Sequence, residues 1–266
     1  MTRLTLWLRA GSDGMSCGGD PAAHHLFMLM LWKAELDPSL KFDVKTVNEA
    51  RPPQEFKDVG LRRTPALQID EDTAYSVEDE IIEQIDRYGP PRPSTSEADH
   101  VTSDIFRAFA FFIKGVQSEP TALLSEFQRI EHYLQENSHR FLCSDQPSHL
   151  DCQLLPRLHS IRIASKALNN FDIPSNLSNL WRYMKNGYEL ECFAKSCASD
   201  QLVGFLYNIR HRFYAKVKET YLVKEIVLYW SDRPDTPGLS SSKRAELARQ
   251  KPYFTRTILT DADASL

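Results

Sequence analysis

The chain has 266 residues, of which 42% are hydrophobic and 26% charged, with a formal net charge of −4. That length can bury one or two domains, and the slight acidity excludes a nucleic-acid surface, which needs clustered Lys and Arg. Cysteines at 17, 143, 152, 192 and 197 form no C-x-x-C and no paired zinc spacing, so free thiols in a reducing compartment are expected and no metal site is read.

The opening "MTRLTLWLRAGSDG" turns polar too early for a signal peptide. Within it, Leu4, Leu6 and Leu8 alternate with Thr5 and Arg9, the period of a strand. After a glycine-rich turn, "PAAHHLFMLMLWKAEL" reads as a mostly buried helix. Its longest apolar run, Leu26 to Trp32, is followed by Lys33, Glu35, Asp37, Lys41, Asp43 and Lys45. A membrane span wants ~20 apolar residues, so hydropathy alone predicts a soluble chain.

"KFDVKTVN" alternates again with Phe42 and Val44 inward, so strand, helix and strand predict a right-handed parallel βαβ unit. A short helix over "RPPQEFKDV", a third strand at "TPALQID" and a short fourth at "AYSV" follow. "SVEDEIIEQIDRYG" is a helix with Ile81, Ile82, Ile85 and Tyr88 on one face and Gly89 as its stop. "GPPRPSTSE" reads as a linker.

Beyond it five long segments carry helical periodicity, beginning at "SDIFRAFAFFIKGV", "ALLSEFQRIEHYLQEN", "LDCQLLPRLHSIRIASKAL", "NLSNLWRYMKNGYELECFAKSC" and "DQLVGFLYNIRHRFYAKVKETYLV". From about Trp230 the tail is polar, broken by Pro and Gly, and reads as largely disordered. The organisation is α/β plus all-α: a mixed domain over 1–90, a linker over 91–97, an all-α domain over 98–228 and a tail over 229–266.

Asp20-Pro21 at the start of the first helix suits an N-cap carboxylate with Pro at the first helical position. A ligand-sensing carboxylate is the other reading, while Asp20 with His24 supplies only two of the ligands a metal would need. Thr64-Pro65 at a strand entrance is a trans proline on frequency. In a thioredoxin-like domain it would instead be a cis pair whose first residue offers its backbone to a cysteinyl peptide such as glutathione. Ser148 and Asp151, three apart before an apolar run, form the pattern of a capping box, and Pro156 inside that helix predicts a kink. His159 and Cys152 read as core residues, "FRAFAFF" as a core-facing helix, and Cys197 as a thiol with nothing to activate it.

Together, "RAGSDG", "TPAL", "FLCSDQPSHLDCQLLPRLHSIRI", "FDIP" and "SCASDQ" resemble the chloride intracellular channel family, invertebrate type, over about residues 3–215. "DCQLLPRLH" is the most specific string. The resemblance implies a glutathione transferase-like fold: a thioredoxin-like N-terminal domain followed by an all-helical C-terminal domain. It also implies a protein of cytoplasm and membrane that associates reversibly with membrane lipids, self-associates there and conducts chloride. The membrane region it implies includes Leu26, Phe27, Met28, Leu29, Met30, Leu31 and Trp32.

The family's redox cysteine falls on Asp20, whose carboxylate cannot form a mixed disulfide, so no catalytic residue is assigned and no cofactor is required. Thr64 and Pro65 match the cis-proline pair. Val77 stands where the family places an acid for the γ-glutamyl amine, with Glu78 beside it. A glutathione-like ligand would therefore meet Asp20, Thr64, Pro65 and Glu78. Three readings follow: a membrane-associating chloride channel protein, a glutathione-binding or glutathione-dependent oxidoreductase of the same fold, and a non-catalytic interaction scaffold.

Overall fold

A computed structural model describes residues 3–90, 96–117, 119–204 and 206–207. The chain opens with β1 (Leu4–Arg9), α1 (Pro21–Leu36) and β2 (Phe42–Val47), and the two strands pair in parallel, Leu4 opposite Phe42 and Arg9 opposite Val47. A short α2 (Gln54–Asp58) leads to β3 (Ala66–Gln68) and β4 (Ala74–Tyr75), each antiparallel to its neighbour, giving the order β2-β1-β3-β4. α3 (Glu78–Ile85) closes this half, and its buried Ile81, Ile82 and Ile85 lie on one helical face.

β1 is central and buried on both faces. Leu4, Leu6 and Leu8 face the main core, whereas Trp7 joins Val47, Phe56, Leu61 and Ala66 in a second cluster on the opposite face. Trp7 and Phe56 meet edge-on with centroids 5.4 Å apart, a favoured aromatic geometry. The indole N–H of Trp7 also donates to Gln68 Oε1 at 3.1 Å.

The remaining helices are α4 (Ser96–Thr102), α5 (Ile105–Ile113), α6 (Thr121–Glu136), α7 (His149–Asn169), α8 (Ser178–Tyr188) and α9 (Glu191–Ser196). A further helical run covers 200–204 and 206–207. α1 packs against α3, α7 and α9, so it is shared by the sheet half and the helical half. All of Leu26–Trp32 except the partly buried Leu31 is buried. Lys33, 1% exposed, donates from Nζ to the Pro90 carbonyl at 2.8 Å and pairs with Asp86 at 3.3 Å, tying α1 to the end of the first half. Among the described residues no helix is long and apolar enough to cross a membrane.

Three sequence expectations change. α4 begins at Ser96, inside the expected linker, because Ala98, Val101 and Thr102 form a buried face at helical spacing. The single helix expected over 176–197 is two: Leu190 is extended (φ −69, ψ 133), which turns Cys192 and Phe193 into the core. The helical run passes unbroken through Pro156. "FRAFAFF" divides as well, with Phe109 and Phe112 buried but Phe111 43% exposed. None of the five cysteines is in a disulfide. The last expected helix lies beyond 207 in most of its length and the tail wholly so, outside the described residues.

Candidate binding cleft

The C-terminal ends of the parallel strands β1 and β2 lie side by side, and the chain leaves them through residues 10–20 and 48–50. In open α/β sheets that edge is where ligands bind. A cleft of about 300 Å³ opens there, lined by Arg9, Ser12, Asp20, Asn48 and Glu49 and, from the helical half, by Leu202 and Leu206.

The 10–20 turn is held by its own hydrogen bonds. Asp13 accepts the amides of Met15 (3.0 Å) and Ser16 (2.9 Å) and the Ser16 hydroxyl. Gly11 donates to the Ser16 carbonyl at 2.7 Å, and Gly18 to the Arg9 carbonyl at 2.8 Å. Gly14 takes φ +73, and a Cβ at Gly19 would lie 2.4 Å from Val203 Cα. Glycine is thus favoured at Gly14 by conformation and required at Gly19 by contact.

Asp20 stands at the N-cap of α1 in an extended conformation, accepting the Ala22 amide at 3.0 Å, with Pro21 at the first helical position. The carboxylate occupies the positive end of the helix, where an anion is stabilised. Cys17, three residues earlier, is buried; burial and the Asp20 charge push its thiol up to about 12. It is therefore a neutral thiol at physiological pH, and neither residue supplies a thiolate.

The Thr64-Pro65 bond is cis. The Thr64 amide and hydroxyl both donate to Glu49 Oε1, at 3.0 and 2.7 Å, and Arg9 Nε stands 3.6 Å from the other carboxylate oxygen. Glu78 lies elsewhere. Its carboxylate meets Nδ1 of the buried His25 at 3.0 Å. That hydrogen bond holds Glu78 below the usual glutamate range against the opposing effect of burial. Of the four residues expected around a glutathione-like ligand, Asp20 lines the cleft, Thr64 reaches it through Glu49, and neither Pro65 nor Glu78 lines it.

Sequence reasoning missed Glu49 and Asn48, which follow β2 in what reads as an ordinary loop. Their signal is positional: they sit at the carboxyl end of a parallel strand next to the one feeding α1.

A second polar cluster lies at the junction of α7, α8 and the 197–200 turn. His159 Nε2 is 3.3 Å from Cys197 Sγ, and His159 Nδ1 is 3.1 Å from the Tyr188 hydroxyl, which Arg162 Nε also meets at 3.2 Å. Asp200 pairs with Arg162 at 3.5 Å. Burial, with the Asp200 charge adding to it, pushes the Cys197 thiol well up. The cluster therefore joins elements and presents no nucleophile. Ser148 and Asp151 form the capping box of α7, Asp151 Oδ2 accepting both the amide and the hydroxyl of Ser148 at 2.7 Å.

A four-stranded sheet with cis Thr64-Pro65 and α1 starting at the cleft, followed by a helical half, defines a thioredoxin-like domain joined to an all-α domain, the glutathione transferase-like fold. Solved structures agree: the CLIC homologue EXC-4 of Caenorhabditis elegans (TM-score 0.74, 22% identity, 93% of this chain and 92% of that one) and a dehydroascorbate reductase of Chlamydomonas reinhardtii (0.66, 17%, 79% and 98%). A scan against protein-family models finds no match. The chain is 42% identical to chloride intracellular channel exl-1 of Caenorhabditis elegans, over 97% of its own length and 100% of the relative. It belongs to the chloride intracellular channel family.

Proposed function

We propose that this protein folds in water as described, resides in the cytoplasm, and associates reversibly with lipid membranes, where it self-associates and conducts chloride. The observation that carries this reading is full-length similarity to a relative named as a chloride intracellular channel. The site chemistry supports it by weighing against the oxidoreductase alternative, since a carboxylate stands at Asp20 where thiol exchange needs sulfur.

In this reading Leu26–Trp32 is the membrane-facing segment. These residues are core here, and at about 1.5–3 kcal/mol per large apolar side chain their burial is worth roughly 10–20 kcal/mol. That rivals the whole stability of a typical domain, about 5–15 kcal/mol. Withdrawing α1 therefore amounts to refolding both halves, and the membrane form must shelter Lys33 and Glu35 against other copies or at the lipid interface. The test is chloride efflux from anionic liposomes on addition of the purified full chain. Efflux that rises with protein concentration is expected; no efflux above protein-free liposomes would overturn the reading.

A further inference from the structure

The pre-proline edge of the cleft is already taken by the chain itself. In a thioredoxin-like domain the amide before the cis proline is the donor that meets the carbonyl of a cysteinyl peptide. Here that amide belongs to Thr64 and donates to Glu49 Oε1 at 3.0 Å, with the Thr64 hydroxyl on the same oxygen at 2.7 Å. We propose that Glu49 determines ligand specificity by standing in for the ligand's carbonyl, so that glutathione and other cysteinyl peptides are excluded from this cleft.

Three features of the site act together. To reach the Thr64 amide a peptide carbonyl must displace an ionised acceptor that holds two donors, and charge-assisted hydrogen bonds are roughly twice as strong as neutral ones. Glutathione is a net anion at neutral pH, while the described residues that line the cleft include the carboxylates of Asp20 and Glu49, with the Arg9 guanidinium 3.6 Å from Glu49. Like charges brought to such distances repel. Finally, Glu78, the acid nearest in sequence to the γ-glutamyl position, is held by His25 and does not line the cleft. Glutathione thus fits neither the thiol position, nor the backbone position, nor the amine position.

Glu49 is exposed and sits in a loop after β2, so replacing it leaves the core untouched. The experiment titrates the full chain with S-methylglutathione by calorimetry, comparing the unmodified protein with Glu49→Ala and Glu49→Gln. Glu49→Ala should bind at least about tenfold more tightly, equivalent to ~1.4 kcal/mol. Glu49→Gln should fall between, because its amide oxygen still accepts from Thr64 without the charge.

A second readout uses Asp20→Cys and the double variant Asp20→Cys/Glu49→Ala with glutathione disulfide. The introduced thiolate attacks one sulfur, the glutathione S–S bond breaks, a protein–glutathione disulfide forms and one glutathione thiolate leaves. Mass spectrometry should show this adduct forming severalfold faster in the double variant. Equal affinity of unmodified protein and Glu49→Ala, including no measurable binding by either, overturns the inference, as do equal adduct rates. Neither readout involves a membrane, so its failure is separable from failure of the chloride efflux test.

Discussion

His25, buried in α1, and Glu78, at the start of α3, meet Nδ1 to Oε1 at 3.0 Å and so join the helix at the centre of the fold to the last helix of the sheet half. The hydrogen bond from His25 holds the Glu78 carboxyl below its ordinary range, with burial opposing and the His25 and Arg157 charges assisting. A depressed carboxylate gives stability that is complete above the unfolded pKa, near ~4.3, and is lost as pH falls through the folded value. Glu78 is 40% exposed in its side chain, so solvent screening limits the contribution to about 1 kcal/mol. Urea unfolding of Glu78→Gln should show that loss at neutral pH, and the gap from the unmodified protein should close below pH ~4.

His24, the neighbour of His25, behaves in the opposite chemical sense as a base buried in its neutral form. Its ring lies 4.7 Å from that of Phe193 and 6.1 Å from that of His159. Burial first, then the charges of His159 and His25, push its pKa well below the usual histidine value, and a backbone bond to Phe193 only partly opposes them. The unfolded chain takes up a proton near pH ~6.5 that the folded chain refuses, so stability is full above that pH and falls as pH drops below it, by up to ~1.4 kcal/mol per pH unit. His24→Phe should lose the Phe193 bond at every pH but flatten this slope, measured as urea midpoints between pH ~5 and ~7.

Asp151, 0% exposed, gathers four donors: the Leu142 amide at 3.0 Å, the Ser148 amide and hydroxyl at 2.7 Å, and the Tyr183 hydroxyl at 2.9 Å. The capping box is therefore also the clamp between the 141–148 loop, α7 and α8. Ser148→Ala should cost about 1–2 kcal/mol, the range of a lost helix cap. Asp151→Ala should cost more, about 3–5 kcal/mol, because it strands several buried donors at roughly 1–3 kcal/mol each. Chemical denaturation of both variants checks the order as well as the sizes.

Local chemistry explains what the sequence made legible. α1 was readable because Asp20-Pro21 both caps and starts it, and because its apolar run has no break. The capping box was readable because a three-residue spacing specifies both partners. The break at Leu190 was not, since no Pro or Gly stands there: docking of Phe193 beside His24 and His159 imposes it. The helical start at Ser96 was hidden by a Ser- and Pro-rich composition, although Ala98, Val101 and Thr102 already carried the spacing. Within the cleft, Asp20 was legible from its own neighbours, but Glu49 meets Thr64 and Arg9 only through strand register, which sets the loop after Val47 beside the turn after Arg9. A carboxylate's partner fifteen residues away in sequence leaves no local trace.

Gly19 is the point where the turn before α1 touches the helical half, and it should tolerate no side chain. A Cβ there would lie 2.4 Å from Val203 Cα and 2.6 Å from Val203 N, backbone atoms that cannot rotate aside. At Gly187 the nearest atoms are the Leu155 methyls at 2.3 and 2.7 Å, which can rotate. Gly14, at φ +73, has nothing within 4 Å, so Gly14→Ala should cost only the left-handed backbone penalty of about 1 kcal/mol. Gly19→Ala should cost about 1–3 kcal/mol or more, the price of overpacking against a rigid wall. Because the clash falls on the Leu202–Val203 backbone, it should also raise hydrogen exchange at the Leu202 and Val203 amides, which donate to Ser199, while leaving α8 protected. Gly187→Ala should show the reverse distribution, with exchange rising in α8 and the Leu202–Val203 pair unchanged.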